Sequence, residues 1–229
     1  SKASISATKS ASDMAKLPIL SIFVRVSVSC SPKKAKTMSG QMIVKPTADS
    51  IATAARMAAK GRGLPPVEQW NPPFCGDLDI RISRDGTWFY MGTPIERPEL
   101  ARVFSTILKR EGDKYFLVTP VEKVGITVDD APFLAVDFHV TGSGSAQVLE
   151  FTTSMGDQTK ASAENPLRIE RDADTGEPAP YVHVRRGLEA LIDRKSFYRL
   201  IDIGTHHDGW FGLWSSGVFF PIIKSTELP

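Results

Sequence analysis

The stretch from Asp77 to Leu108, DLDIRISRDGTWFYMGTPIERPELARVFSTIL, constrains the fold most, because one continuous run fixes a turn, two strands and an amphipathic helix. Leu78, Ile80 and Ile82 alternate with Asp79, Arg81 and Ser83, the period-two pattern of a strand with one buried and one wet face. The Asp85-Gly86 pair then predicts a tight hairpin, with a type I′ turn that needs positive φ at both central residues. The return strand is aromatic, Trp88-Phe89-Tyr90-Met91, and Gly92-Thr93-Pro94 ends it. Pro98 stands where a first helical residue belongs, with Glu99 favouring the positive end of the helix dipole. Leu100, Val103, Phe104, Ile107 and Leu108 follow at i, i+3, i+4, i+7 and i+8, which predicts a helix over 98–109.

Downstream, Tyr115 to Val118, Val124 to Val128, Phe133 to Val140 and Gln147 to Thr153 read as short, closely spaced strands, a spacing that favours antiparallel sheet over βαβ units. Leu167-Arg168-Ile169, a turn at Asp174-Thr175-Gly176, the strand Tyr181-Val182-His183-Val184 and a helical pattern at Leu188, Leu191 and Ile192 then repeat the order strand, turn, aromatic-led strand, helix. Phe197, Leu200 and Ile201 predict a further short helix after Asp193-Arg194. The expected fold is α+β: two small antiparallel β-rich subdomains built from repeated β-β-α units, each sheet partly covered by a helix. The boundaries are a poorly structured basic leader over 1–41, an N-terminal helix within 42–63, a first subdomain over 64–124, a second over 125–222 with helices near 187–202, and a tail over 223–229.

The leader is a Ser/Lys/Ala-rich segment in which Pro18 and Arg25 interrupt the apolar run that a signal peptide requires. It reads as an over-long translation start, with Met38 or Met42 as the natural first residue, or as a basic presequence. Residues 1–44 carry a net charge of +6 and the remainder −4, so the pI near 8.5 is no argument for nucleic-acid binding. No membrane span is expected, and two cysteines, Cys30 and Cys75, make no disulfide framework, which points to a reducing compartment; the chain is expected to act as a monomer or homodimer. Thr47 or Asp49 caps an Ala-rich helix running to about Lys60, with Gly61 closing it. A proline-rich lead-in follows, in which Trp70 and Phe74 are expected in the core.

LPPVEQWNPPFCGDLDIRISRDGTWFYMGTPIERPELARVFSTILKRE, YFLVTPVEKVGITVDDAPFLA and YVHVRRGLEALIDRKSFYRL resemble the proteobacterial family of domain of unknown function 1285, over about Leu64 to Ile203. The resemblance implies a cytoplasmic α+β protein of two small β-rich subdomains with repeated elements and a signalling or ligand-binding role. It carries no catalytic residues.

No phosphate-cradling glycine loop and no Gly-x-Ser-x-Gly elbow occurs, and Cys75 reads as a small buried residue. His206-His207-Asp208 is the one cluster of metal-ligand types, although adjacent strand histidines point to opposite sides; His139 and His183 sit on strand positions that could share a cleft. Arg97 precedes the first helix, and Arg185 and Arg186 are expected at the start of its repeat, where unpaired N–H groups and a guanidinium make an anion site that Lys123 joins. The opposing reading pairs these cations with Glu99, Glu189, Asp130 or Asp193. Trp210, Phe211, Trp214, Phe219 and Phe220 form a Gly-rich aromatic segment that caps the core or faces a partner. The functional expectation is a non-catalytic module, without cofactor, that binds a small anionic ligand or a protein partner between the two units. The alternative is a metal-assisted hydrolase using His206, His207 and Asp208.

Overall fold

In the computed structural model, which describes residues 46–58, 63–172 and 176–228, two six-stranded sheets of the same connectivity share one core. The chain opens on α1 (Ala48–Ala58), where Thr47 and Ser50 cap reciprocally: the Ser50 N–H donates to Thr47 Oγ1 at 3.2 Å and the Thr47 N–H to Ser50 Oγ at 3.0 Å. Ile51, Ala52 and Ala55 are buried, and α1 packs on the first crossover helix. The leader, the expected helix end at Lys60 and Gly61, and part of the turn at Asp174-Thr175 lie outside the described residues.

The first sheet contains β1 (Phe74–Ile82), β2 (Trp88–Tyr90) and β3 (Thr93–Pro94), then α2 (Pro98–Thr106), then β4 (Leu108–Glu111), β5 (Lys114–Val118) and β6 (Lys123–Val128). Its order is β3-β2-β1-β6-β5-β4. The second contains β7 (Phe133–Thr141), β8 (Val148–Thr153), β9 (Gln158–Lys160), β10 (Leu167–Arg171), β11 (Pro178–Arg185) and β12 (Leu188–Ile192), in the order β10-β11-β12-β7-β8-β9. In both, a meander runs outward from the centre, the chain crosses to the far edge, and a second meander returns. First and last strands therefore meet at the centre in parallel, β1 with β6 and β7 with β12. The sheets are mixed, and this corrects the antiparallel expectation: a chain that leaves one edge and re-enters at the other brings its last strand beside its first in the same direction. After β12 come α3 (Arg194–Asp202) and a three-stranded sheet of β13 (Thr205–His207), β14 (Trp210–Ser215) and β15 (Val218–Lys224).

Several expectations change in detail. Among the non-glycine residues of the β1–β2 loop none has positive φ; Gly86 (φ 82°) does, and its N–H donates to Ser83 O at 2.9 Å. The hairpin is thus a longer loop ending on a left-handed glycine, in place of a two-residue type I′ turn. Helix α2 stops at Thr106, because Leu108 is needed at the start of β4, where it is fully buried and pairs with Leu117. The predicted helix at Leu188, Leu191 and Ile192 is strand β12: Leu188, Ala190 and Ile192 are buried on one face, and Leu191 packs with Tyr181 on the other. The helix of this region is the one expected after Asp193, whose carboxylate accepts the Ser196 N–H at 2.7 Å as N-cap. The expected boundary after Val124 would cut β6; the first sheet runs to Val128. Phe74, expected in the core, is half-exposed and meets Phe116 edge-on, and Cys75 is half-buried and is not a free thiol.

One continuous apolar cluster joins both sheets and all three helices. In it Phe104 of α2 stacks on Trp88, Phe133 and Phe151 fill the second sheet, and Phe197 and Leu200 of α3 cover it. At 25 cal/mol per Å2 of apolar burial, each fully buried Phe or Leu contributes about 2 kcal/mol.

Candidate functional site

The expected anion site does not assemble. Arg97 is the exposed N-cap of α2 and makes no side-chain capping bond. Arg185 sits at the opposite end of the same helix, donating through Nη2 to Ser105 O at 2.9 Å, so its charge complements the negative end of the dipole. It also pairs with Asp157 and lies 4.7 Å above the Phe133 ring, with 11% of its side chain exposed. Arg186 is in the tight β11–β12 turn (φ 52°, with Gly187 at 72°), not at a helix start, and donates to Pro65 O at 3.0 Å. Lys123 pairs with Glu111 at 2.9 Å above the Phe116 ring. Arg185 and Arg186 are clasps between the two units, close to the opposing structural reading.

The metal trio does not form either. His206 packs on Phe211 and meets Ser225 Oγ at 2.8 Å, while His207 turns to the other face, against Trp214 and Phe219, 3.4 Å from Asp208. Alternation along β13 separates the two imidazoles. Among the described residues no group of three or more His, Cys, Asp or Glu is placed to hold a metal. His139 is exposed on β7 and shares no cleft with His183.

What the fold does bring together is a groove of about 460 Å3 between the units, lined by Arg110 of β4, Pro166, Arg168 and Glu170 of the β10 segment, His183 of β11, and Gly187 and Glu189 of the β11–β12 hairpin. Its two arginines are repeat equivalents. Arg110 is opposite Tyr115 in the β4–β5 pair, and Arg168 is opposite Tyr181 in the β10–β11 pair. Each guanidinium lies over its tyrosine, at 5.7 and 4.2 Å from the ring centroid. The same device, copied with the topology, supplies both.

The copies differ in what neutralises them. Arg168 grips Glu189 with both ends of its fork, Nε to Oε1 at 2.7 Å and Nη2 to Oε2 at 2.8 Å, and bonds Glu170 through Nη1. The Arg168 bond holds the Glu189 carboxyl below the usual carboxylate range, and Glu189 keeps Arg168 charged. Arg110 instead donates to backbone carbonyls, Gly112 O at 2.9 Å and Gly187 O at 3.3 Å, and its nearest carboxylate is the fully exposed Asp113 at 3.9 Å. His183 is committed on both nitrogens: the Gly187 N–H donates to Nε2 at 3.0 Å, so Nδ1 carries the proton and faces Asn165 Oδ1 at 2.7 Å. Burial raises the Tyr115 phenol; burial, with the bond from its hydroxyl to Asp130 at 2.8 Å, raises that of Tyr181. Both tyrosines stay neutral. A second, smaller hollow of about 280 Å3 shares Glu170 and contains Arg84, Asp129, Asp130 and Tyr181.

Sequence reasoning missed the groove because its residues come from four separate strands. The available signal was the alternation Arg168, Glu170 on β10 and His183 two positions after Tyr181 on β11, which acquires meaning only with the register.

Outside the groove, Glu122 is the most deeply buried carboxyl among the described residues, at 1% exposure in the β5–β6 turn, and its Oε2 has no hydrogen-bond partner. Desolvation raises it above the usual range.

Fold and groove together define a class: a tandem-unit α+β protein with a charged cleft between its units. The chain belongs to the DUF1285 family. Residues 65–131 match the N-terminal domain of unknown function (DUF1285) and residues 132–222 the C-terminal domain of that protein of unknown function, one six-stranded sheet in each. A crystal structure of a DUF1285 family protein from Silicibacter pomeroyi DSS-3 is 65% identical, covering 77% of this chain and 96% of that chain with a TM-score of 0.73. Another, from Shewanella baltica OS155, is 32% identical and covers 55% and 91%, with a TM-score of 0.45. No curated protein matches the chain. No helix among the described residues is long and apolar enough to cross a membrane.

Proposed function

We propose that this protein is a non-catalytic ligand-binding module of the kind used in signal transduction, and that its site is the groove between the two units. The observation that carries the reading is Arg110, a cation at the groove wall whose short bonds go to carbonyl oxygens, which leaves its charge available to an anionic group on a small ligand. The volume falls in the range of small-molecule sites. Arg168 and Glu189 hold each other in fixed geometry, so the opposite wall is organised before a ligand arrives. His183, the groove residue best suited to proton transfer, has both nitrogens engaged inside the protein, which favours binding over acid-base chemistry.

A ligand that binds only the native state raises its apparent stability. In a thermal-unfolding screen of small molecules bearing carboxylate or phosphate groups, at least one raises the midpoint for the wild-type chain, and Arg110→Gln abolishes the rise. Silence across the screen, or a rise that survives Arg110→Gln, refutes the groove as a small-ligand site and turns the search to a protein partner.

A further inference from the structure

The two Arg-Tyr pairs are equivalent in the repeat but opposite in local charge, and this polarity names a ligand class. Glu170 and Glu189 both meet Arg168, so this cluster sums to one negative charge. Glu170 engages Arg168 through Oε1 and is 62% exposed at its side chain, which leaves carboxylate capacity facing the solvent. The Arg110 end carries one positive charge on a guanidinium 5.7 Å from the centre of the Tyr115 ring. Both ends line the same groove, and the low position of the Glu189 carboxyl has Arg110 among its causes after Arg168.

Resting on the groove assignment above, we propose that the groove takes a small zwitterion of the amino-acid class, with its carboxylate on Arg110 and its ammonium on the outer face of the Glu170 carboxylate, beside the Arg168–Glu189 pair. The polarity works by exclusion as well as attraction. A dianion gains Arg110 but meets two carboxylates, and a simple cation gains the carboxylates but meets a guanidinium paired only loosely, with the exposed Asp113 at 3.9 Å; a group with both charges in the right order satisfies both ends. Tyr115 and Tyr181 each back one guanidinium, and the committed nitrogens of His183 keep it from competing for the ligand carboxylate.

The test is an NMR titration of the full chain with the twenty standard α-amino acids, with acetate and methylammonium as the two half-ligands, and with succinate and inorganic phosphate as anions. The signals followed are the Nε–H groups of Arg110 and Arg168 and the amide of Gly187. At least one amino acid is expected to move all three with a Kd at least tenfold below both half-ligands. Arg110→Gln and Glu170→Gln, both at partly exposed side chains, each weaken that binding about fivefold or more while leaving the unfolding midpoint close to wild type. Tighter binding of succinate or phosphate at the same signals overturns the zwitterion and leaves the groove assignment standing. Unchanged affinity in Glu170→Gln likewise removes the ammonium subsite alone. No movement of the three signals with any compound overturns both.

Discussion

The two six-stranded units share a strand order and differ in how each acquires its helix. In the first, α2 is the crossover itself, inserted between β3 and β4 and buried through Leu100, Ala101 and Phe104. In the second, a short loop makes the same crossover, and cover comes from α3, which follows the last strand and packs on β7. The central parallel pairs follow suit: β6 runs beside β1 to its end at Ile82, whereas β12 pairs only with Phe133 to Ala135 and leaves the rest of β7 to the helix. Connectivity is the repeated property, and helix position is free so long as each sheet has an apolar face covered.

The largest test of that contrast is removal of the covering aromatic from each helix. Phe104→Ala opens a cavity against Trp88 and is expected to cost about 4 kcal/mol, while Phe197→Ala, at a less enclosed site, costs about 3 kcal/mol. Denaturant unfolding measures both, and a larger loss for Phe197 would show that the second helix is the more essential. Next comes the clasp between units. Arg185→Met strands Asp157 and leaves the α2 C-terminus without its cation, for a loss of about 3 kcal/mol, and the units should then unfold in separable steps by fluorescence and circular dichroism. Arg97→Ala, on the exposed end of the same helix, stays within about 0.5 kcal/mol. Equal effects for the two arginines would remove the distinction between clasp and surface cation.

A further contrast, seen only at high pH, concerns equivalent turns. The β5–β6 turn buries Glu122, and the β11–β12 turn presents Gly187 to the groove. Because the fold raises the Glu122 carboxyl, its contribution to stability is complete below its unfolded value and is lost as pH rises through the folded one. Glu122→Gln therefore stabilises at pH 8 by about 1 kcal/mol and makes no difference near pH 3. Thermal midpoints across that range decide it, and a destabilised variant at pH 8 would indicate that the charge has a role.

Legibility in the sequence followed the locality of the cause. The Trp88 strand, the Pro98 helix start and the Asp193 cap depend on neighbours in the chain, and each could be read. Leu188-Glu189-Ala190-Leu191-Ile192 could not, because five residues with Leu and Ile at i, i+3 and i+4 also fit a strand that is buried on one face and half-buried on the other. Small Ala190 hides the alternation. The repeat was visible, but its frame was displaced by half a unit: β10 to β12 correspond to β4 to β6, not to the β1-β2-α2 block. The same displacement assigned Arg185 and Arg186 to a helix start and left Arg110 and Arg168 unpaired as equivalents.

The side-by-side parallel strands at the middle of each sheet also bear on ancestry. A segment that departs in the direction in which it arrived can be copied head to tail in the gene, and the copy continues without rethreading through the original. The joint needs only residues 129–132 between β6 and β7. Duplication of one such segment yields two Arg-Tyr pairs at once, and carboxylates placed beside one copy alone, Glu170 and Glu189 at Arg168, then set the two apart.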